Sequence, residues 1–342
     1  MPERRLAAFK TNRRVALGVL GTLGVAGLGH SARAQAGTPT ALPENVAWSF
    51  TDDRGMTIEI SSRPERIVAF SPVAAALWDL GRQPVGVFGP FTNADGAVDP
   101  QAGSIDPADV TWLGLWDTFD LEKLLALEPD LLVGLDLPDV PNTLWHIPED
   151  IYPLLSERVP TVGFHMQPDQ PTTAMFDRVE DLAVSLGVDL TSDQYVKERA
   201  AFEAAASAVT EALGARSSLT ALAISADAES VFVANPTWFS DLRYFQDLGL
   251  EIITPETPDG RWQEVSWEQI GQYQPDLFLV DARSGEIPPE LAGIATWASQ
   301  PAVKAGQVAP WFAVYPYGRK AFTPILERLA EAIRAVDPAV ES

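Results

Sequence analysis

The chain alternates short apolar runs with amphipathic segments over most of its length. VAWSF and MTIEI alternate apolar and polar positions on either side of DDRG, which predicts a β-hairpin. RIVAF then leads into a helical segment that opens at Ser71 and stops at Gly81, the pattern of a buried strand followed by a capped helix. PVGVF, LEKLLALE, LLVGL, EDIYPLLSE and TVGFH continue as strand, helix, strand, helix and strand. This order is typical of a parallel α/β layer.

A long helical segment separates this half from a second one. SDQYVKERAAFEAAASAVTEALG has 23 residues, about 35 Å of helix. After it the alternation restarts with LTALAIS, SVFVA, EIIT and DLFLV and ends in the helical FTPILERLAEAIRAV. We therefore predict an N-terminal α/β lobe over 48–190, a linking helix over 191–213 and a C-terminal α/β lobe over 214–342. A ligand cleft is expected between the lobes, where the carboxyl ends of the strands converge.

Two segments do not follow this alternation. The first 36 residues place Arg13-Arg14 before the mildly apolar run VALGVLGTLGVAGLG, the pattern of a twin-arginine export signal with cleavage after Ala36. A retained anchor helix is the alternative, and residues 37–47 are expected to be a loose start of the mature chain. The second segment, DLPDVPNTLWHIP at 136–148, is rich in proline and in Asp or Asn and is predicted to be an exposed loop.

Charge and cysteine content narrow the class of protein. The first 36 residues hold six Lys or Arg and one Glu, which leaves 18 basic and 46 acidic residues and a formal net charge of −28 in the mature chain. Such a charge repels nucleic acid and anionic membrane surfaces. There is no cysteine, so disulfides, thiolate metal sites and a lipid-anchoring cysteine are excluded. A freely diffusing, exported monomer is the expectation, in the periplasm.

One unit occurs in both halves. DLEKLLALEPDLLV at 120–133 and SWEQIGQYQPDLFLV at 266–280 each give a glutamate, a helical pattern, Pro-Asp and an apolar strand. Three further segments flank the two units: TDDRGMTIEISSRPERIVAFSP and LWDLGRQPVGV precede the first unit, and WASQPAVKAGQV follows the second. Taken together over about 48–335, these five segments resemble the periplasmic binding proteins that feed ABC importers for ferric siderophores, haem and vitamin B12. The resemblance implies the class III fold: two Rossmann-like lobes joined by one long helix, with the ligand cleft between them.

The resemblance gives the repeated unit a role. In the family, one glutamate on each lobe meets arginines of the membrane permease, and the matching positions here are Glu122 and Glu268. Both are predicted in the first turn of a helix, where the helix dipole stabilises a carboxylate. Helix capping alone is the alternative for either residue. The implied partners are an ABC permease and its ATPase.

Candidate ligand contacts lie in the expected cleft loops. Trp116 and Trp262 each precede one copy of the unit by four residues, and the resemblance implies that aromatics at these positions meet the ligand. Rigid amphipathic rings bind a large ligand with little ordering cost, and guanidinium groups bind oxygens around a chelated iron. Core packing, surface exposure and helix capping are the alternatives for individual residues. The remaining candidates are Phe88, Phe91, Trp311, Tyr315 and Tyr317 among aromatics, Arg243, Arg261 and Arg283 among cations, and Ser71 at a helix start.

The function that follows is capture of a ferric siderophore and its delivery to the permease, with no cofactor and no chemistry on the ligand. The negative charge favours a neutral or cationic hydroxamate chelate over a triply anionic catecholate, although a local arginine cluster would reverse this. Haem and cobalamin are the alternatives, because His165, Tyr315 or Tyr317 could ligate haem iron. The two lobes are expected to close little, because one long helix bends less readily than several crossing strands.

The sequence gives less support to three other classes of protein: a carrier of bare metal ions, an enzyme, and an adhesion or scaffold protein. The mature chain has only His146 and His165 as histidines, so a bare zinc or manganese site is not expected. A secreted hydrolase remains a remote alternative, since G-x-S-x-G, a glycine-rich phosphate loop and H-E-x-x-H are all missing from the sequence. A surface adhesion or scaffold protein would have no small-molecule site.

Overall fold

A computed structural model describes residues 47–93, 96–137, 143–165, 170–214, 216, 218–257, 260–283 and 285–337. The predicted export signal, its cleavage site and residues 37–46 lie outside the described residues. In the part of the chain that the structure describes, no helix is both long enough and apolar enough to cross a bilayer.

The predicted hairpin is present at the start. Strands β1 (Trp48–Thr51) and β2 (Thr57–Ile60) pair antiparallel with Trp48 opposite Ile60. The Asp52 carboxylate shapes the turn, because its Oδ1 accepts from the amides of Arg54 and Met56, each at 3.0 Å. Its Oδ2 accepts from the Gly163 amide at 2.9 Å, which fastens the hairpin to the edge of the first sheet.

The first lobe contains a five-stranded, entirely parallel sheet in the order β5-β4-β3-β6-β7. Its strands are β3 (Ile67–Phe70), β4 (Gly86–Phe88), β5 (Thr111–Trp112), β6 (Leu131–Asp136) and β7 (Thr161–His165). Its helices are α1 (Ser71–Asp79), α2 (Leu121–Ala126), α3 (Tyr152–Ser156) and α4 (Thr172–Ser185). The central strand β3 is buried at every position, as expected for a parallel sheet covered on both faces.

The long helix α5 (Asp193–Gly214) follows, against 191–213 predicted for the linking helix, and the second sheet comes after it. This sheet runs β11-β9-β8-β12-β13, with β10 also paired to β8. The strands are β8 (Thr220–Ala226), β9 (Val231–Ala234), β10 (Glu251–Ile252), β11 (Trp262–Val265), β12 (Leu277–Asp281) and β13 (Val308–Trp311). The helices are α6 (Ser240–Asp247), α7 (Ala295–Ala298), α8 (Pro301–Lys304) and α9 (Arg319–Ala335). Strands β8 and β9 are antiparallel, because residues 227–230 are too few for a parallel crossover.

Strand β8 divides the apolar interior of the second lobe. Its Ala221 and Ala223 belong to the main core, which also contains apolar residues of α5 and α9. Leu222 and Ile224 belong to a separate cluster with Trp297 of α7. This alternation follows from the two-residue period of a strand. The main core continues from the first sheet through α5 and α9 to one face of the second sheet.

The start of α9 is fastened to the first lobe by polar contacts. The buried Arg319 guanidinium forms ion pairs with Glu180 and, at 2.5 Å, with Asp177 of α4. Lys320 Nζ lies 2.8 Å from Asp79 Oδ1 of α1. We call these two residues and their three carboxylate partners the lobe clamp. Because α9 follows the last strand of the second sheet directly, the clamp limits how far the two lobes can separate.

Candidate ligand cleft

The wall contributed by the first lobe carries an exposed tryptophan at the carboxyl end of β5. Trp116 opens a 3-10 turn, has a positive φ of 48° and is 40% exposed. The turn is tight, because a Cβ on Gly114, whose φ is +81°, would lie 2.2 Å from the Thr118 carbonyl oxygen. Only glycine fits there without displacing the backbone. The turn therefore holds Trp116 outward at the position that the sequence predicts.

Trp116 packs on a buried histidine that follows β6. The ring centroids of Trp116 and His146 are 4.7 Å apart, and the Trp116 amide donates to the His146 carbonyl oxygen at 3.0 Å. Trp145 lies 4.7 Å and Phe70 5.3 Å from the imidazole. Burial lowers the pKa of His146 to about 3, so the imidazole is neutral at physiological pH.

The prediction of an exposed loop at 136–148 is wrong for the described residues 143–147. Leu144 and Ile147 are fully buried in the main core, and His146 is 6% exposed. The Trp145 amide donates to the Leu135 carbonyl oxygen at 2.8 Å, which extends β6 by one hydrogen bond. The segment is polar in composition, but Leu144 and Ile147, three residues apart, pack into the core and bury it.

An aromatic cluster forms the wall contributed by the second lobe. Phe239 precedes α6, and its ring lies 4.8 Å from Trp262 and 5.2 Å from Trp311. Trp262 is half-buried, whereas Trp311 is only 2% exposed. Trp311 Nε1 donates to the buried Asp241 carboxylate at 2.6 Å. Trp262 is thus closer to the surface of the cleft, and Trp311 supports it from behind.

The three candidate arginines have different surroundings. Arg283 forms an ion pair with Asp281, with Nε 2.6 Å from Oδ2. The Arg261 guanidinium lies 4.2 Å from the centre of the Trp238 ring. Arg243 is half-buried, and within the described ranges its buried Nε has no hydrogen-bond partner.

Arg243 lies on α6, one helical turn after the cluster residue Phe239, which occupies the N-cap position. It follows Ser240 by three residues, so these two residues share one face of the helix. Its Nε therefore has unused donor capacity on the helix that begins at the aromatic cluster.

Tyr315 connects the two lobes through its hydroxyl group. Its hydroxyl donates to Thr172 Oγ1 at 2.5 Å, at the start of α4, and lies 3.2 Å from Ser240 Oγ, at the start of α6. Burial raises the pKa of both Tyr315 and Tyr317, and the negative charge of Asp241 raises them further. Neutral, buried phenols are poor haem ligands, because iron binds the phenolate. The third haem candidate, His165, has Nδ1 2.7 Å from Asp136 Oδ2.

Three predicted contacts lie inside the first lobe. Phe88, Phe91 and Ser71 are each at most 1% exposed. Ser71 Oγ donates to the Phe88 carbonyl oxygen at 3.0 Å. Phe70 occupies the N-cap position of α1 without a side-chain capping hydrogen bond, and Ser71 is the first helical residue, so the prediction of Ser71 as N-cap is wrong. Ligand contact by these three residues stays a prediction.

The two candidate docking glutamates are both exposed, but their local structures differ. Glu122 lies in the first turn of α2, which Asp120 caps by accepting from the Lys123 amide at 2.8 Å. Glu268 lies in a turn before a 3-10 helix at Ile270–Gln272, so the predicted α-helix of the second copy is wrong. Gly271 lowers the helix propensity there. Hydrogen bonds from Ser266 and from its own amide lower the pKa of Glu268.

Residues 67–314 match the family described as periplasmic binding protein, and the chain belongs to it. The fold is the class III fold of siderophore-binding members, and the members are substrate-binding proteins of ABC import. The chain is 37% identical to DesE, a ferric-siderophore receptor protein from Streptomyces coelicolor, over 84% of this chain and 98% of that one, with a TM-score of 0.78.

Two further relatives are more distant. The Fe(3+)-citrate-binding protein YfmC of Bacillus subtilis (strain 168) is 25% identical over 259 residues, which are 75% of this chain and 76% of YfmC. The Fe3+-Desferal-bound siderophore binding protein FhuD from Vibrio cholerae is 21% identical, with a TM-score of 0.56 over 81% of this chain and 99% of that one. At this identity FhuD supports the fold alone.

The buried Asp241 predicts a pH dependence of stability. Burial raises its pKa to about 7, and the charge of Asp281 adds to this, while the hydrogen bond from Trp311 opposes it. A raised acid pKa stabilises the fold at low pH, and this contribution is lost as pH rises from about 4 through about 7. Asp241→Asn should therefore gain about 2.5 kcal/mol of unfolding free energy relative to the unmodified protein between pH 5 and pH 8. Urea unfolding at both pH values measures this difference.

Asp247→Asn is the matched control, because Asp247 is exposed at the end of the same helix. Its difference from the unmodified protein should not change with pH. A pH-independent difference for Asp241→Asn would mean that the buried carboxyl is already ionised at pH 5.

Proposed function

We propose that the protein is the periplasmic solute-binding component of an ABC importer that captures a ferric siderophore between its lobes. It then delivers the complex unchanged to a membrane permease and ATPase. The observation that carries this proposal is the cluster of Phe239, Trp262 and Trp311 on the second lobe, at the start of the helix that carries Arg243 with its unpartnered Nε. The exposed Trp116 on the first lobe is the second aromatic candidate. Membership of the family and 37% identity to a ferric-siderophore receptor support the same conclusion.

The walls suit a large, rigid chelate. Ring faces provide wide contact area at a small cost in side-chain entropy. A guanidinium adds charge-assisted hydrogen bonds to the oxygens that surround chelated iron. Arg243 is the candidate for this contact, because the guanidiniums of Arg261 and Arg283 already lie against Trp238 and Asp281.

The balance of charge in the cleft favours a hydroxamate-type ligand. Arg283 is paired with Asp281, and its charge also opposes the raised pKa that burial gives to Asp99. Asp241 adds another buried carboxyl beside the second wall. Within the described residues Arg243 has no ion-pair partner, and it would offset only one of the three charges of a catecholate complex beside these carboxylates, whereas a neutral or cationic hydroxamate complex would not be repelled.

The remaining features of the proposal follow from the sequence. The twin-arginine segment directs export, and the absence of cysteine excludes a lipid-anchored form. We place the mature protein in the periplasm as a monomer without a resident cofactor. Iron arrives only as part of the cargo.

Titration of the intrinsic tryptophan fluorescence tests ligand capture. A ferric trihydroxamate such as ferrioxamine B should change the emission and saturate at one ligand per protein, while a ferric tris-catecholate, haemin and cyanocobalamin should bind more weakly. Arg243→Leu should raise the Kd about 10-fold or more, as expected for loss of a hydrogen bond from a charged donor. Arg199→Leu, on the exposed face of α5, should leave the Kd unchanged. No response to any of the four ligands would contradict the proposal.

If Glu122 and Glu268 dock the permease, replacing both should affect transport and leave ligand binding intact. Glu122→Arg combined with Glu268→Arg should leave the Kd for the ferric complex unchanged and abolish uptake, because each change replaces the proposed partner of a permease arginine by a like charge. Uptake is measured with radiolabelled iron in cells that lack the unmodified protein. Glu203→Arg, an exposed change on α5, should transport normally. Loss of ligand binding in the double variant would place the glutamates in the cleft or the fold instead.

A further inference from the structure

The histidine behind Trp116 has a buried ring nitrogen without a hydrogen-bond partner, which aromatic packing does not explain. His146 is 6% exposed, and its buried Nδ1 has no hydrogen-bond partner in the described part of the chain. A buried polar atom without a partner is destabilising, and most native structures satisfy such atoms. A phenylalanine would fill the same aromatic site without this penalty.

The backbone around this histidine is also held in an uncommon conformation. His146 has φ +71° and Trp116 has φ +48°, both in the left-handed region. The two residues are linked by the hydrogen bond from the Trp116 amide to the His146 carbonyl oxygen. Strained residues persist where the surroundings enforce them, and they concentrate at binding sites. Here the strain places an imidazole directly behind the most exposed ring of the first wall.

We infer that His146 is a ligand-binding residue, a neutral hydrogen-bonding group that meets an amide or hydroxamate oxygen of the iron chelate once Trp116 has turned aside. Of the three rings around the imidazole, Trp116 is the exposed one, while Phe70 is fully buried and Trp145 half-buried. The inference rests on the proposed capture of a ferric siderophore. It adds a polar contact on the first lobe to the candidate contact of Arg243 on the second.

A neutral imidazole suits such a contact. It has one N–H donor and one acceptor nitrogen, and it adds no charge to the site. The burial that keeps it neutral also strengthens a hydrogen bond to a ligand that excludes water. The group therefore suits a chelate with uncharged hydrogen-bonding groups, such as amide or hydroxamate oxygens, at its periphery.

His146→Phe tests this role, because it keeps the aromatic packing and removes both nitrogens. The Kd for ferrioxamine B should rise about 5-fold, while the midpoint of urea unfolding is unchanged or higher. His165→Phe is the matched control and should bind as the unmodified protein does. Equal affinity of His146→Phe and the unmodified protein would overturn the inference and leave siderophore capture standing. Failure of the unmodified protein to bind any ferric siderophore would overturn both.

A second measurement does not depend on the variant folding. In the unmodified protein labelled with ¹⁵N-histidine, the diamagnetic gallium(III) complex of desferrioxamine B should shift the imidazole nitrogens of His146, with His165 as internal reference. The mature chain has no other histidine, so His165→Phe assigns the signals. Unchanged His146 nitrogens at saturation with the gallium complex would show that the histidine serves packing only.

Discussion

The architecture depends on the ion pairs that Arg319 forms at the first turn of α9. Its guanidinium lies between Glu180 and Asp177 of α4 and is 9% exposed. Removing one partner of such a buried pair typically costs about 3–5 kcal/mol, because the remaining charge stays buried. Neighbouring contacts act in the same direction, since the Tyr317 amide donates to the Pro72 carbonyl oxygen at 3.1 Å and Lys320 pairs with Asp79. The second lobe is thus fastened to the first at the start of α9.

Because these contacts hold the two lobes together, the cleft can change its shape only slightly when a ligand binds. Tyr315, four residues before Arg319, bonds to the starts of α4 and α6 together, so the base of the cleft is continuous between the lobes. Behind the rings above it, Asp241 accepts from Trp311, and His146 packs against Trp116. A cleft whose two lobes are fastened at the base binds its ligand with little movement of the lobes, which reduces the cost of binding.

Local patterns of the sequence are sufficient to predict much of the fold and one residue of the candidate cleft. The hairpin, the alternation of the first lobe, the long helix and the outward position of Trp116 follow from periodicity, glycine placement and spacing within a few residues. The second copy of the repeated unit was predicted less well, because one residue, Gly271, weakens a helix that the first copy forms. The segment with His146 was misread as exposed, because its prolines and acidic residues outnumber the two apolar anchors, Leu144 and Ile147, that bury it.

The clamp itself could not be predicted, because Arg319 and Glu180 are 139 residues apart in sequence and nothing local to either residue indicates the other. The same holds for Asp241 behind Trp311.

The central claim, that the clamp holds a preformed cleft, is tested most directly by small-angle X-ray scattering of the free protein and of the protein saturated with its ferric ligand. The account predicts superimposable curves with the same radius of gyration. A clear decrease in the radius of gyration on loading, as in a large hinge closure, would contradict it.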